Sequence, residues 1–272
     1  MTTAQKIIKY VAIAFAMFLI VTIASGILSG VYGLASAIGL REGKGTGEMK
    51  TIDFENSEVA TLDIDISFTN LIIKNGDSLR AETNNSSINC KQNYQNLQIK
   101  EKDNGFLGKS ESGDLIVYVP EDLEFETIKI NTGAGKVNIE NLSAKELEIK
   151  LGAGETQIKN LNVTKSCKID GGTGKASILS GTIKNLDLDM GIGETNVNAV
   201  LRGKNDIDAG IGNLNITLIG DESDYKIKMN KGIGSAKINE TNIKDNQIWG
   251  NGENYIEIDG GIGNIKIKTS KK

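Results

Sequence analysis

Between residues 125 and 270 apolar and polar residues alternate in short runs, each broken by a Gly-x-Gly triplet and resumed beyond it. The triplets begin at Gly133, Gly152, Gly172, Gly191, Gly210, Gly232 and Gly261, at spacings of 19, 20, 19, 19, 22 and 29 residues. Three residues ahead of them stand Ile130, Ile149, Ile169, Leu188, Ile207, Met229 and Ile258, each between polar neighbours, as in "LDLDM" and "NDIDA". Six residues after each first glycine come Ile139, Ile158, Ile178, Val197, Ile216, Ile238 and Ile267, all β-branched. A period of two marks a half-buried strand. Each repeat therefore holds one strand entering the glycines and one leaving them.

No segment between the strands is long enough and helically patterned enough to be a crossover helix. A repeat of this length belongs to solenoids, and equivalent strands can stack in parallel only if the chain coils. The expected fold is all-β, a right-handed parallel β-helix (β-solenoid). Seven turns at about 4.8 Å each give roughly 34 Å of column. Strands such as "ATLDIDI", "NLIIK" and "DLIVYVP" lengthen it at the amino end. The glycines read as a recurring corner, where positive φ and the missing Cβ permit a sharp bend. A dinucleotide loop needs its glycines at the start of a helix, whereas β-type alternation follows every copy here. Calcium-binding nonapeptide repeats need an Asp where this chain has Val137, Thr156, Ala176, Thr195, Leu214, Ala236 and Ile265.

Ahead of the repeats, Tyr10 to Leu40 carries no charged residue and exceeds the roughly 20 residues that span a bilayer. Its apolar stretch is longer than the usual core of a cleaved signal, about 7–15 residues. We expect an uncleaved transmembrane α-helix over residues 1–40, a Gly-rich linker over 41–50 ("REGKGTGEMK") and the β-helix domain over 51–272. Lys6 and Lys9 flank one side of the span, and Arg41, Lys44 and Lys50 the other. The short tail ahead of a long hydrophilic domain favours an inside amino terminus, which puts the β-helix on the extracytoplasmic side of the cytoplasmic membrane.

Composition narrows the function classes. With 31 basic and 35 acidic residues spread along the chain, there is no basic face for nucleic acid. Histidine is absent, which removes the commonest general base and neutral metal ligand. Cys90 and Cys167 lie 77 residues apart and make no metal-type or disulfide framework, so their redox state stays open. No cofactor and no small-molecule substrate is indicated.

The amino-terminal span, the stretch "LIVYVPEDLEFETIKINTGAGKVNI" with its Val119-Pro120 step, and the serial Gly-x-Gly turns together resemble the bacterial candidate-adhesin family of β-strand-repeat domains of unknown function. The resemblance covers roughly residues 50–270. It implies a right-handed β-helix, no established catalytic residues and a place at the outer face of the cytoplasmic membrane.

Three features could carry chemistry or binding. Asp187, Asp189, Asp206 and Asp208 fall on facing strands, where they would form a two-by-two carboxylate patch about 5–7 Å on a side, close enough to share a hard cation as a metal site. The competing reading is an exposed ladder flanked by Lys168 and Lys228, with carboxylates bonded to the backbone of the glycine corners. Ile192, Ile211, Ile233 and Ile262, the middle residues of the later triplets, form an apolar column. We expect it to fill the corner of a widening core; turned outward, it would be a docking stripe. The last spacing leaves about ten extra residues, including Trp249, with Tyr255 close behind. We expect this insertion to cover an open end of the coil, and on a loop the aromatic pair would suit a glycan.

The function expected is that of a non-enzymatic surface binding or scaffold module, held to the lipid bilayer through residues 1–40, with a cell-envelope glycan or a membrane protein as partner. The alternative is an accessory subunit of an envelope stress response, and least favoured is a polysaccharide-active enzyme.

Overall fold

The computed structural model describes residues 47–55, 59–102 and 112–271. The anchor expected over residues 1–40 and all but the last four residues of the linker lie outside them. Among the described residues no helix is long and apolar enough to cross a membrane. The described residues form one compact unit, and the twenty strands among them belong to one hydrogen-bonded sheet. It is a β-solenoid.

The middle of the solenoid follows the sequence repeat. Strands β8 (Phe125–Thr132), β9 (Ala134–Lys150), β10 (Ala153–Asp170), β11 (Thr173–Ile178), β12 (Gly181–Lys184), β13 (Leu186–Asp189), β14 (Ile192–Arg202) and β15 (Lys204–Ile219) pair in parallel with the equivalent segments one repeat away. Glycines stack on glycines: Gly154 faces Gly135, then Gly174, Gly193 and Gly212 follow in register. Both expected aliphatic columns point inward, and every member of each is at most 6% exposed. Burial of this kind stabilises by roughly 1.5–3 kcal/mol per large aliphatic side chain, which makes the inner columns the main source of cohesion.

The two ends depart from simple sequential stacking, and they do so in the same way. At the amino end, β2 (Thr61–Ile66) and β3 (Asn70–Asn75) form a rung that pairs in parallel with β8 and β9 on one side. On its other side lies the rung of β6 (Asn96–Glu101) and β7 (Asp114–Val119), which comes later in the chain. At the carboxyl end, β20 (Asn254–Ser270) inserts between β15 and the earlier rung of β16 (Tyr225–Asn230) and β17 (Ile233–Ile238). The spacing of 29 residues thus records a chain that travels to the outermost rung and returns to fill the place beneath it.

Antiparallel strands then close both outermost rungs. β5 (Ile88–Asn93) pairs with β6, β4 (Arg80–Thr83) with β7, and β1 (Lys50–Asp53) with β4. At the other end β19 (Gln247–Gly250) pairs with β16 and β18 (Thr241–Asn242) with β17. Reversed polarity at a rim denies a further parallel rung its template. The expectation that the insertion containing Trp249 covers an end is met: Trp249 on β19 lies opposite Ile227 of β16 and packs against the core.

The β2–β3 rung has no glycine triplet, and another group ties its corner. Ser67 and Phe68 donate their backbone N–H groups to the Glu101 carboxylate at 2.7 and 3.0 Å. A side chain on the outermost rung thereby satisfies the bend of the rung beneath it.

Candidate functional site

Each strand entering a corner sends alternate side chains outward, and parallel register lines them up into two columns along the solenoid. The outer column runs Asp63, Lys129, Glu148, Lys168, Asp187, Asp206, Glu257, Lys228; the column nearer the corner runs Asp65, Asn131, Lys150, Asp170, Asp189, Asp208, Asp259, Asn230. The sequence-predicted quartet is brought together as its spacing required: Asp187 faces Asp206, and Asp189 faces Asp208.

Charge along this face is not uniform. Toward the amino end the signs alternate and pair, with Lys150 2.9 Å from Glu148. From Asp170 onward the face turns acidic. Lys168 closes one end of the acidic stretch, reaching Asp187 at 3.0 Å, Asp170 at 3.2 Å and Asp189 at 3.5 Å. Its hydrogen bond to Asp187, followed by that to Asp170, holds its ammonium well above the ordinary lysine range. Lys228 closes the other end on Glu257 at 2.6 Å. Between them, among the described residues, neither Asp206 nor Asp208 has a cation within ion-pair distance. Desolvation, then a hydrogen bond from carboxyl to carboxyl with Asp189, raises the Asp208 pKa above its usual value. Among the described residues no group of three or more carboxylates and thiols is arranged to hold a metal ion.

The isoleucine column corrects the expectation that it fills the core. Ile192 and Ile233 are 37% and 48% exposed, and Ile211 and Ile262 are half-buried. Successive corners stack in close backbone contact. A Cβ on Gly191 would lie 1.9 Å from the Gly172 carbonyl oxygen, and one on Gly193 would lie 1.8 Å from that of Gly174. This contact requires glycine on either side of the middle residue, whose own side chain lies on the outer, partly exposed side of the corner. Its neighbours do the interior filling, Met190 and Ala209 before the corner and Thr195 and Leu214 after it.

Inside the coil, sequence reasoning missed Asn205, which is fully buried in a column otherwise formed by Leu147, Cys167, Leu186 and Ile256. It accepts a hydrogen bond from the Leu186 N–H at 3.0 Å and donates to the Tyr255 carbonyl at 3.1 Å. The signal was present, since the register of "KNDID" puts a polar residue at an inward position. Cys90 and Cys167 are free thiols. Burial pushes them up to about 11 and about 12, which suppresses the reactive thiolate. Tyr255 points toward Glu257, 3.3 Å from its carboxylate, and stands on β20 rather than on a loop with Trp249. The larger recess at the glycine corners, bordered by Gly152, Thr156, Gly172 and Thr195, encloses about 30 Å³. That is room for one water molecule.

Stacked parallel rungs, inward aliphatic columns and outward ladders define the class: a β-solenoid that offers extended surfaces. The chain belongs to the Toastrack DUF4097 family, which matches residues 100–268. No curated protein matches the chain. Solved structures similar to it include a candidate cell adhesion protein from Clostridium sporogenes, 16% identical, covering 82% of this chain and 99% of that one with a TM-score of 0.40. A candidate adhesin from Parabacteroides distasonis is 13% identical over 84% of this chain and 99% of that one, with a TM-score of 0.34. A candidate lipid binding protein from the same organism is 13% identical over 84% and 98%, with a TM-score of 0.31. The family assignment rests on the family match alone.

Proposed function

We propose that this chain is a non-enzymatic binding or scaffold module of the cell envelope, a right-handed solenoid held by residues 1–40 as a single-pass anchor and standing on the extracytoplasmic side. The observation that carries the reading is the character of the surface. Small-molecule sites are typically concave, with volumes of about 300–1,000 Å³, whereas the larger corner recess here has about 30 Å³. What the coil offers instead is a set of straight side-chain ladders one rung apart, suited to a macromolecule laid along them. The charge-free stretch from Tyr10 to Leu40 supports the anchor.

Two measurements on the full chain in intact cells test this. A photo-crosslinking residue placed on the outward ladders should capture a macromolecular partner, and a membrane-impermeant thiol reagent should label cysteines introduced on the same ladders. Release of sugar from envelope polysaccharide by the purified chain, or labelling that requires cell lysis, overturns the reading.

A further inference from the structure

We propose that the isoleucine ridge and the acidic ladder beside it form one docking strip for a basic amphipathic α-helix of a protein partner. This rests on the reading of the solenoid as a binding module. In spatial order the ridge runs Ile192, Ile211, Ile262, Ile233. Three residues earlier in each rung the ladder runs Asp189, Asp208, Asp259, Asn230. Apolar and acidic columns thus lie side by side across one corner, over the same rungs.

Charge selects the partner. Lys168 and Lys228 sit at the two ends of the acidic stretch, and the carboxylates of Asp206 and Asp208 between them have no cation within ion-pair distance among the described residues. Across the ridge stand Glu194, Asn213, Asn264 and Ser235, which add no positive charge, while Lys231 beside the outermost triplet and Lys204 two residues before Asp206 border the strip as cations; along the strip itself the aspartates outnumber them. A surface of this sign repels anionic lipid and attracts lysine and arginine.

Spacing selects the helix. Rungs repeat at about 4.8 Å and an α-helix at about 5.4 Å per turn, so a helix laid along the coil slips by only about 2 Å over four rungs. An extended strand repeats its same-side residues at about 6.8 Å and slips by about 6 Å. A helix of three to four turns can therefore set one apolar residue per turn on each isoleucine and one basic residue per turn on each aspartate, the recognition mode of a helix in a groove.

The test uses the full chain in detergent solution, with isoleucine methyl groups labelled for NMR, and a synthetic amphipathic peptide of four turns carrying Leu and Lys stripes. The expected result is shift changes confined to Ile192, Ile211, Ile233 and Ile262, and affinity reduced about tenfold by Asp206→Asn with Asp208→Asn and about tenfold by Ile211→Ser. A peptide with Glu in place of Lys should not bind. No binding, equal binding of the Glu peptide, or shifts elsewhere overturn the proposal. So does attachment to phosphatidylglycerol vesicles, or self-association, that Ile211→Ser abolishes. Should cellular crosslinking capture a partner on another face while the ridge ignores the peptide, the docking strip falls and the binding module stands.

Discussion

Replacing Gly193 by alanine separates the corner's two physical requirements from everything else in the fold. Gly193 has φ of 138°, and a Cβ built on it lies 1.8 Å from the Gly174 carbonyl oxygen, where real Cβ atoms stay beyond 3.0 Å. Relief requires the two rungs to part by about 1.2 Å, the difference between those distances. The neighbouring bond from the Ile192 N–H to the Gly172 carbonyl is 2.9 Å long, and such a displacement carries it out of hydrogen-bond range. An alanine in this region of φ costs about 1–3 kcal/mol, and one or two broken ladder bonds about 1 kcal/mol each. The sum is about 2–5 kcal/mol, a fall of about 5–15 °C in Tm for a unit of this size. Thermal unfolding by circular dichroism, with hydrogen exchange at the Ile192 and Ile211 amides, reads the effect. Ile192→Ala, one residue away and outward-facing, serves as control and should cost less than about 1 kcal/mol. A Gly193→Ala protein that melts within about 2 °C of the parent with unchanged exchange at those amides refutes the stacked-corner argument.

Ile216, 2% exposed, should lose about 2–5 kcal/mol on conversion to alanine in a denaturant titration; an effect no larger than that of Ile211→Ala would mean the inward column is misassigned. Asn205→Ala leaves the Leu186 N–H and the Tyr255 carbonyl without their partner and should cost about 1–3 kcal/mol, visible as faster exchange at the Leu186 amide. Asp208 has a raised pKa in the folded chain, so the folded state binds more protons than the unfolded one between the ordinary carboxylate value and the raised one. Stability at this site is therefore fully present below that window and is lost as pH rises through it. Asp208→Asn should melt higher than the parent at neutral pH, and the gap should close on acidification; a gap independent of pH contradicts the carboxyl pairing with Asp189.

Most of the central coil was legible because its determinants are local and repeat. The glycine spacing fixed the register, register fixed which residues face inward, and the Asp187, Asp189, Asp206 and Asp208 quartet followed from arithmetic on strand positions. The isoleucine ridge was misplaced because hydrophobicity at a triplet's middle position suggests a core, whereas the inward positions beside the corners are already taken by Met190 and Ala209 before them and Thr195 and Leu214 after them. Asn205 was passed over because an amide at an inward position looks like an interruption, yet backbone groups two rungs apart satisfy it. Rung order at the ends has no regular periodicity to betray it, and the 29-residue spacing marks an insertion without showing its path. That order depends on the antiparallel returns of β4, β5, β18 and β19, and on long-range ties such as Glu101 to the Ser67 and Phe68 amides.

Out-of-order rungs should also make the ends of the coil resist fraying. In sequential stacking the first and last rungs each lose pairing on one side, and unfolding can start there and propagate through nearest-neighbour contacts. Here the first rung, β2–β3, and the last, β20, are each paired on both sides. To peel either strand free, a neighbouring rung and its antiparallel cover must give way as well. The arrangement gives the two ends different surroundings. The chain enters through β1 at the rim formed by β4 and β7, while the isoleucine ridge occupies the rungs nearest the opposite rim. Five rung spacings separate the outermost rung under β1 from that of Ile192, about 24 Å at the usual strand spacing. A strip so placed can engage a helix along the coil without displacing any strand that locks the entry end.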